Sequence, residues 1–310
     1  MEIEFLGTGA GIPSKHRNVS SLALKLLQER GTVWLFDCGE ATQHQMLHTT
    51  LKPRKVENIF VTHLHGDHVF GLPGFLGSRS NQGGEEALTV FAPYGMEAFL
   101  HASFDMVDTR LAYPLHIQDV TEGLVFEDKQ FRVTAKRLEH GVECYGYRIE
   151  EKPSPGAFLI DKARAAGIPE GPIYRELKEG KTVTLSDGRT VEGSDFLSEE
   201  IPGRIVTILG DTRFCQASIE LAKDADVLVH EATFADGEDK RAHDYYHSTC
   251  TQAATVAKEA GAKKLILNHL SARYDEDGRT ELEEQARRVF PETYVANDGF
   301  IVEVLRGKGS

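Results

Sequence analysis

Apolar positions in the first half of the chain come in short runs. They are rich in β-branched and large aliphatic side chains and are broken by turn residues, which predicts strands more than helices. Residues 3–6, 20–26 and 33–37 are the first three such runs. Residues 40–49 are compatible with a helix, and 58–62 form a compact apolar run of the kind a buried strand shows. The strand pattern continues over 88–92, 131–136 and 145–149, with a helix over 97–106 among them.

From about Lys152 to Glu200 the texture changes. Pro153, Pro155, Gly156, Gly167, Pro169, Gly171, Pro172 and Gly180 interrupt any long element, and charges of both signs are interspersed. A short helix over 159–166 and a hairpin over 182–191 turning at Asp187-Gly188 are the local structure this segment predicts. A stretch this long between regular halves reads as an inserted arm, residues 152–200, protruding from the body and carrying a function of its own.

After the insertion a regular α/β rhythm returns. Strands are expected over 204–209, ending at Gly210-Asp211, over 226–229, ending at His230-Glu231, and over 264–268, ending at His269. Thr249 and Gln252 have capping-box spacing, and the helix they open should stop at Gly261. A second helix is expected over 280–289, before Pro291. Strands ending in polar residues, with helices between, in both halves predict an α/β protein: two sheets face to face with helices outside, an αβ/βα sandwich spanning residues 1–310 as one domain.

Composition narrows the class. Of 310 residues, 40% are hydrophobic and 27% charged, ordinary for a globular protein with a sizeable core. No apolar run reaches the ~18 residues a membrane helix needs, so no membrane partner is expected. The acidic start Met1-Glu2-Ile3-Glu4 runs into a strand and does not read as a signal peptide, so a cytoplasmic location is expected. Cys38, Cys144, Cys215 and Cys250 are far apart and suit reduced thiols. The net charge of −13 is not the usual profile of a nucleic-acid binder, although phosphates respond to the local field and bound cations offset part of the deficit.

The strongest chemical signal is His63-Leu64-His65-Gly66-Asp67-His68, directly after a buried strand. Alternation lets His63 and His65 grip one ion while Asp67 and His68 turn toward a second. Imidazole and carboxylate donors without thiolates suit a hydrolytic zinc site rather than a structural one. More donors recur where elements end: His140, Asp211 and His269, of which Asp211 is able to bridge two ions. Taken singly, His140 and His269 also read as ordinary core or surface histidines, and Asp211 as a turn residue.

The six-residue cluster with a later His, an Asp after Leu209-Gly210 and a final His resembles the metallo-β-lactamase superfamily. Phe5-Leu6-Gly7-Thr8-Gly9-Ala10-Gly11-Ile12-Pro13 followed by Lys15, Arg17 and Asn18 is similar to the ribonuclease Z family of tRNA 3′-processing endonucleases. So are Phe36-Asp37-Cys38-Gly39-Glu40-Ala41-Thr42-Gln43, His230-Glu231-Ala232-Thr233-Phe234 and His247-Ser248-Thr249. The resemblance covers nearly the whole chain. It implies two zinc ions per subunit, one held by His63, His65 and His140, the other by Asp67, His68 and His269, with Asp211 bridging. It implies cleavage of the 3′ trailer from precursor tRNA, a homodimer, and an arm at 152–200 that grips tRNA. Such ions lower the pKa of water and clamp the attacked phosphate. Asp67 is the expected proton acceptor and His247 the expected partner at the leaving oxygen, with Glu231 orienting its ring. Ser248 or Thr249 also caps the following helix, which is compatible with that role.

One glycine-rich segment invites comparison with nucleotide-binding loops. Gly7 to Gly11 follows a strand but leads into Pro13 and basic residues rather than a helix, so a dinucleotide site, and with it a nucleotide cofactor, is rejected. A tight turn with close backbone approach fits better. Lys15 and Arg17, as exposed charges beside Asn18, are candidates for phosphate contact. In the arm, Gly171-Pro172 is expected to turn at the tip, and Arg175 and Lys178, with Lys162, Arg164, Lys181 and Arg189, are candidate tRNA contacts. The arm's mixed charge departs from a basic grip.

Overall fold

The structure is a computed structural model and describes residues 1–274 and 276–306. It divides into two compact units: one of residues 1–149 and 205–305, the other of residues 150–204 with Arg306.

The larger unit is built on two seven-stranded sheets. In the first, the spatial order is Ile301–Glu303, Glu2–Gly7, Ser21–Leu26, Thr32–Phe36, Val56–Phe60, Leu88–Ala92 and Leu115–Asp119. The pairs up to Thr32–Phe36 are antiparallel, and those beyond it parallel. In the second, the order is Thr293–Val295, Leu265–Asn268, Val227–Glu231, Ile205–Ile208, Tyr145–Glu151, Phe131–Arg137 and Gly123–Glu127. Its first four strands are parallel.

Burial on both faces explains why the inner strands, such as Ser21–Leu26, Thr32–Phe36 and Val227–Glu231, read as continuous apolar runs. Along Thr32–Phe36, Trp34 and Phe36 enter one core while Val33 and Leu35 enter another. The first core joins the inner faces of both sheets, and in it Phe36, Phe60 and Phe91 stack in series, with ring centroids 5.1 and 4.8 Å apart. Helices Leu72–Asn81 and Met96–Met106 cover the outer face of the first sheet. Cys250–Ala260 and Glu276–Arg287 cover that of the second. This is the αβ/βα sandwich that the alternation of elements predicts.

The capping box forms as expected: Thr249 Oγ1 accepts from the Gln252 amide, the Gln252 side chain accepts from the Thr249 amide, and Gly261 closes the helix with φ 69°. The helix expected over 40–49 is shorter, Thr42–Gln45 followed by a 3-10 turn over Met46–His48. Leu72–Asn81 is a helix that periodicity missed, because Gly74, Gly77 and two serines blur its apolar face. All four cysteines are buried and free. Among the described residues no helix is long and apolar enough to cross a membrane.

The smaller unit has its own core of Ala163, Ile168, Leu177, Leu185 and Phe196. It holds helix Ile160–Ala165 and a hairpin of Thr182–Thr184 with Thr190–Glu192, close to the expected elements. The expected turn at Gly171-Pro172 is corrected: Pro172 opens a helix, Pro172–Lys178. Proline's fixed φ and missing N–H suit the first helical position, so the Gly-Pro pair here starts a helix.

Candidate metal centre

Parallel strands deliver the donors at their C-terminal ends, where ligands gather in α/β sheets. His63 follows Val56–Phe60, Asp211 follows Ile205–Ile208, and His269 follows Leu265–Asn268. Glycine is required at Gly210: a Cβ there would lie 2.6 Å from Cys144 Sγ and 2.7 Å from Thr62 Cβ.

The seven donors expected from the sequence come together. His63 Nε2 is 3.0 Å from His65 Nδ1, which is 3.2 Å from His140 Nε2. In the second group, Asp67 Oδ2 is 3.5 Å from His68 Nε2 and 3.3 Å from His269 Nε2, and those two nitrogens are 3.4 Å apart. Asp211 Oδ2 lies between the groups, 3.7 Å from His63 Nε2, 3.5 Å from His68 Nε2 and 3.2 Å from His269 Nε2. Tetrahedral bonds of ~2.0–2.1 Å to zinc place neighbouring ligand atoms ~3.3 Å apart, and the observed spacings match that separation. The donor set therefore fits a pair of zinc-like ions.

His68, His63, His269 and His140 are each oriented from behind through the other ring nitrogen, as metal-binding histidines usually are. His68 Nδ1 is 2.8 Å from Asp37 Oδ2, and the Asp37 carboxylate also accepts from the Thr62 amide and hydroxyl at 2.7 and 2.9 Å. His63 Nδ1 meets Thr62 Oγ1 at 3.0 Å, and His269 Nδ1 meets Thr233 Oγ1 at 3.0 Å. His140 Nδ1 donates to the Tyr246 carbonyl at 2.9 Å. Asp37 and Thr233 were visible in the sequence only as members of motifs. The signal for Asp37 is like that for Asp211, a carboxylate just past a buried strand: Asp37 directly after Thr32–Phe36, Asp211 three residues after Ile205–Ile208.

Carboxylates and imidazoles face one another at this point. Burial pushes the His68 imidazole down, but Asp211 and Asp37 on either side outweigh it and hold it well above its usual range. Burial pushes Asp211 up, and the surrounding His269 and His68 bring it well below the carboxylate range. Buried carboxylates that favour a cation among imidazoles are what a metal ion satisfies.

His247 stands beside the centre. Its Nδ1 donates to Glu231 Oε1 at 2.8 Å, which leaves Nε2 as the nitrogen available to a substrate. Glu231 is itself fixed, accepting from the Thr212 amide at 3.1 Å and from the Thr233 amide and hydroxyl at 3.0 and 2.8 Å. Burial pushes His247 down, and the Glu231 carboxylate more than offsets it, raising the imidazole to about 9.

The glycine-rich loop adds a contact that sequence reasoning missed. The Gly11 amide donates to Asp67 Oδ2 at 2.8 Å, with Gly11 at φ 70°. Gly7 supplies the close approach expected there, since a Cβ would sit 1.7 Å from the Val19 carbonyl oxygen. Lys15 is exposed, as expected. Arg17 is a correction. It is buried, and its guanidinium donates to Thr8 Oγ1 at 2.6 Å, the Ala296 carbonyl at 2.8 Å and Asn297 Oδ1 at 2.8 Å. Burial lowers its pKa, and its charge is used inside the fold. Asn18 is half-buried, its amide donating to Asp298 Oδ2 and its side chain to the Glu40 carbonyl.

In the smaller unit Gly171, Pro172, Arg175 and Lys178 are exposed. Most of its cations are paired: Arg164 with Glu170 at 2.7 Å, Arg175 and Lys181 with Glu179 at 3.7 and 2.6 Å, and Arg189 with Asp187 at 2.7 Å. Lys162 and Lys178 have no ion pair among the described residues, and Lys178 Nζ lies 5.7 Å from the Phe158 ring centroid.

Known proteins resemble this chain along its length. It is 60% identical over 305 residues to the ribonuclease Z of Limosilactobacillus fermentum, covering 98% of each. It is 59% identical over 307 residues to that of Bacillus subtilis, covering 99% of this chain and 100% of the other. The crystal structure of human tRNase Z, short form, superposes with a TM-score of 0.68 at 30% identity, covering 98% of this chain and all of that one. A family model described as anti-Pycsar protein Apyc1 matches residues 1–140.

Proposed function

The chain belongs to the ribonuclease Z family and is therefore a hydrolytic endoribonuclease of tRNA 3′-end processing; we propose that it removes the 3′ trailer from precursor tRNA with two zinc ions per subunit. Cleavage leaves a 3′-hydroxyl on the tRNA and a 5′-phosphate on the trailer. The observation that carries this reading is Asp211 Oδ2 between two groups of donors, in a chain 60% identical to a ribonuclease Z.

His63, His65 and His140 would hold one ion, Asp67, His68 and His269 the other, and Asp211 both. Zinc bound there supplies Lewis acidity toward the phosphate and acidifies water. The remaining steps belong to side chains. Asp67 Oδ2 is engaged by Gly11, His68 and His269, which leaves Oδ1, without a hydrogen bond among the described residues, to take the proton of the attacking water. His247, aligned by Glu231, gives a proton to the leaving 3′-oxygen of the tRNA. Lys15 meets backbone phosphate, while Arg17 and Asn18 hold the loop that presents it.

The arm at 152–200 grips tRNA through Lys162, Lys178 and the backbone around Gly171-Pro172. A homodimer is the assembly the family implies. Its work lies in the cytoplasm, with the transcripts it processes. The deciding experiment is incubation of the purified protein with a precursor tRNA carrying a 3′ trailer and mapping of the cut. A single cut at the tRNA end, lost on chelation, supports the reading. An intact precursor in the presence of zinc overturns it.

A further inference from the structure

The cleft beside the donors has a second wall that no step of the reaction uses. It is lined by Phe234, Arg241, Tyr245 and Arg273 as well as by His247. Phe234 is buried in that wall, and the rings of Phe234 and Tyr245 are 6.4 Å apart. Tyr245 is 63% exposed, a large aromatic surface on the lining of a cleft rather than in a core. The guanidiniums of Arg241 and Arg273 lie 5.8 and 5.5 Å from the Phe234 ring centroid. Both pair with the same carboxylate, Glu238, at 3.6 and 3.0 Å, so one of the two positive charges is left uncompensated by it.

An exposed aromatic ring beside surplus guanidinium charge is the combination that binds single-stranded nucleic acid: the ring stacks a base and the cations take its phosphates. The side of the cut follows from His247, whose ring is 6.2 Å from Phe234 and which lies two residues after Tyr245. We propose that Tyr245 stacks the base of the nucleoside whose 3′-oxygen leaves, the last nucleotide retained by the tRNA, and that Arg241 and Arg273 hold the adjoining backbone phosphate. The inference rests on the reading of His247 as the group at the leaving oxygen. It adds a subsite that reads an unpaired nucleotide by its π-face, so stacking strength sets preference there rather than hydrogen bonding.

The test uses the zinc-loaded protein and precursor tRNAs with an ordinary or an abasic nucleotide at that position. The native enzyme should cleave the ordinary precursor roughly 10-fold more efficiently in kcat/KM, within the range measured for single base–aromatic stacks. In Tyr245→Ala the ratio should fall to about one, and in Tyr245→Phe, which keeps the ring, it should stay at roughly 10. An unchanged ratio in Tyr245→Ala overturns the proposal. So does a ratio that collapses only when the abasic site is moved to the first trailer nucleotide. A precursor with 2-aminopurine at the position separates this result from the activity itself. Its fluorescence should be quenched on binding to the native protein and to Tyr245→Phe but not to Tyr245→Ala, whether or not the chain cuts RNA. Equal quenching in all three overturns the subsite.

Discussion

The Gly11 amide and the Asp67 carboxylate, 56 residues apart, share a 2.8 Å hydrogen bond that ties the glycine-rich loop to the metal centre. The loop is held at its base by Asp298. This carboxylate accepts from Thr8 Oγ1 at 2.7 Å, the Asn18 amide at 2.6 Å and Gln45 Nε2 at 2.8 Å, and buried Arg17 donates to the same Thr8 oxygen. Asp67 is thus oriented by a network that ends on the far side of the loop.

Replacing Asp298 by Ala leaves those donors unpaired, at a cost of about 1–3 kcal/mol for each one kept from water. The expected outcome is a lower melting temperature together with a kcat reduced by roughly tenfold, while zinc content is retained because no ligand is touched. Asp298→Asn, which keeps one acceptor oxygen, should recover part of the kcat. Full activity in Asp298→Ala would show that the Gly11 contact survives without its anchor.

Removing Asp67 itself is more severe. Asp67→Ala should abolish cleavage of precursor tRNA with a much smaller loss of affinity, measured by filter binding beside single-turnover cleavage. His247→Ala should lower kcat by roughly 10²-fold or more, the range for lost general acid–base help, with the Michaelis constant little changed. A change confined to the Michaelis constant would make His247 a binding residue.

Much of this centre was legible in the sequence because metal chemistry restricts residue types. Three histidines and an aspartate within six positions are costly to place together unless a cation holds them, and His140, Asp211 and His269 each sit at the end of an element. What was not legible depends on backbone or on distance. Gly11 acts through its amide, which no side-chain pattern reveals. Arg17 looks like a surface charge until the chain from Ala296 to Asp298 closes over it. The helix at Pro172–Lys178 was hidden because Gly-Pro reads as a turn. The strands Leu115–Asp119 and Gly123–Glu127, largely exposed and partly polar, lack the apolar run that marks the buried ones.

Zinc should bind with a stoichiometry of two per chain. Asp211→Asn, which weakens the one ligand placed between both groups, should reduce that count more than His140→Ala does. Metal analysis after dialysis and the zinc-dependent rise in melting temperature, which follows mass action on the folded state, measure both. A rise equal to that of the native protein in Asp211→Asn would argue against a bridging role.

The smaller unit carries a pH dependence of its own. Glu151 and Arg204 are buried together; the Glu151 carboxylate accepts from the Arg204 guanidinium at 2.8 and 2.9 Å and from the Arg204 amide at 3.2 Å, and Arg306 adds a further contact. Burial pushes the Glu151 carboxyl up, and Arg204 and Arg306 bring it below its ordinary value of 4.5. A carboxyl depressed in the folded state stabilises it fully above that ordinary value, and the contribution is lost as pH falls through the folded value. Hydrogen exchange in residues 150–204 should therefore accelerate as pH drops below about 4.5, after correction for the intrinsic rate. Glu151→Gln should remove this pH dependence and destabilise the unit, because the buried Arg204 guanidinium loses the charge of the carboxylate it faces.

Removing the arm should separate substrate choice from chemistry. All seven donors lie outside residues 152–200, and the ends of that segment are already joined: the Glu151 amide donates to the Arg204 carbonyl at 2.8 Å. A short linker in its place should leave zinc content and hydrolysis of a small phosphodiester intact while cleavage of precursor tRNA falls. Residues 150–204 contain eleven acidic and eight basic side chains, so any hold on tRNA there cannot come from bulk positive charge. It has to come from cations that are free to meet phosphate. Arg164, Lys181 and Arg189 already hold carboxylates, and their replacement by Gln should change affinity little. Lys162→Gln and Lys178→Gln should each weaken binding uniformly across tRNA sequences and reduce the salt slope of log K by roughly one. Equal effects for paired and unpaired cations would mean that tRNA breaks the pairs on binding, and an arm-less protein that binds and cuts precursor normally would remove the arm from recognition altogether.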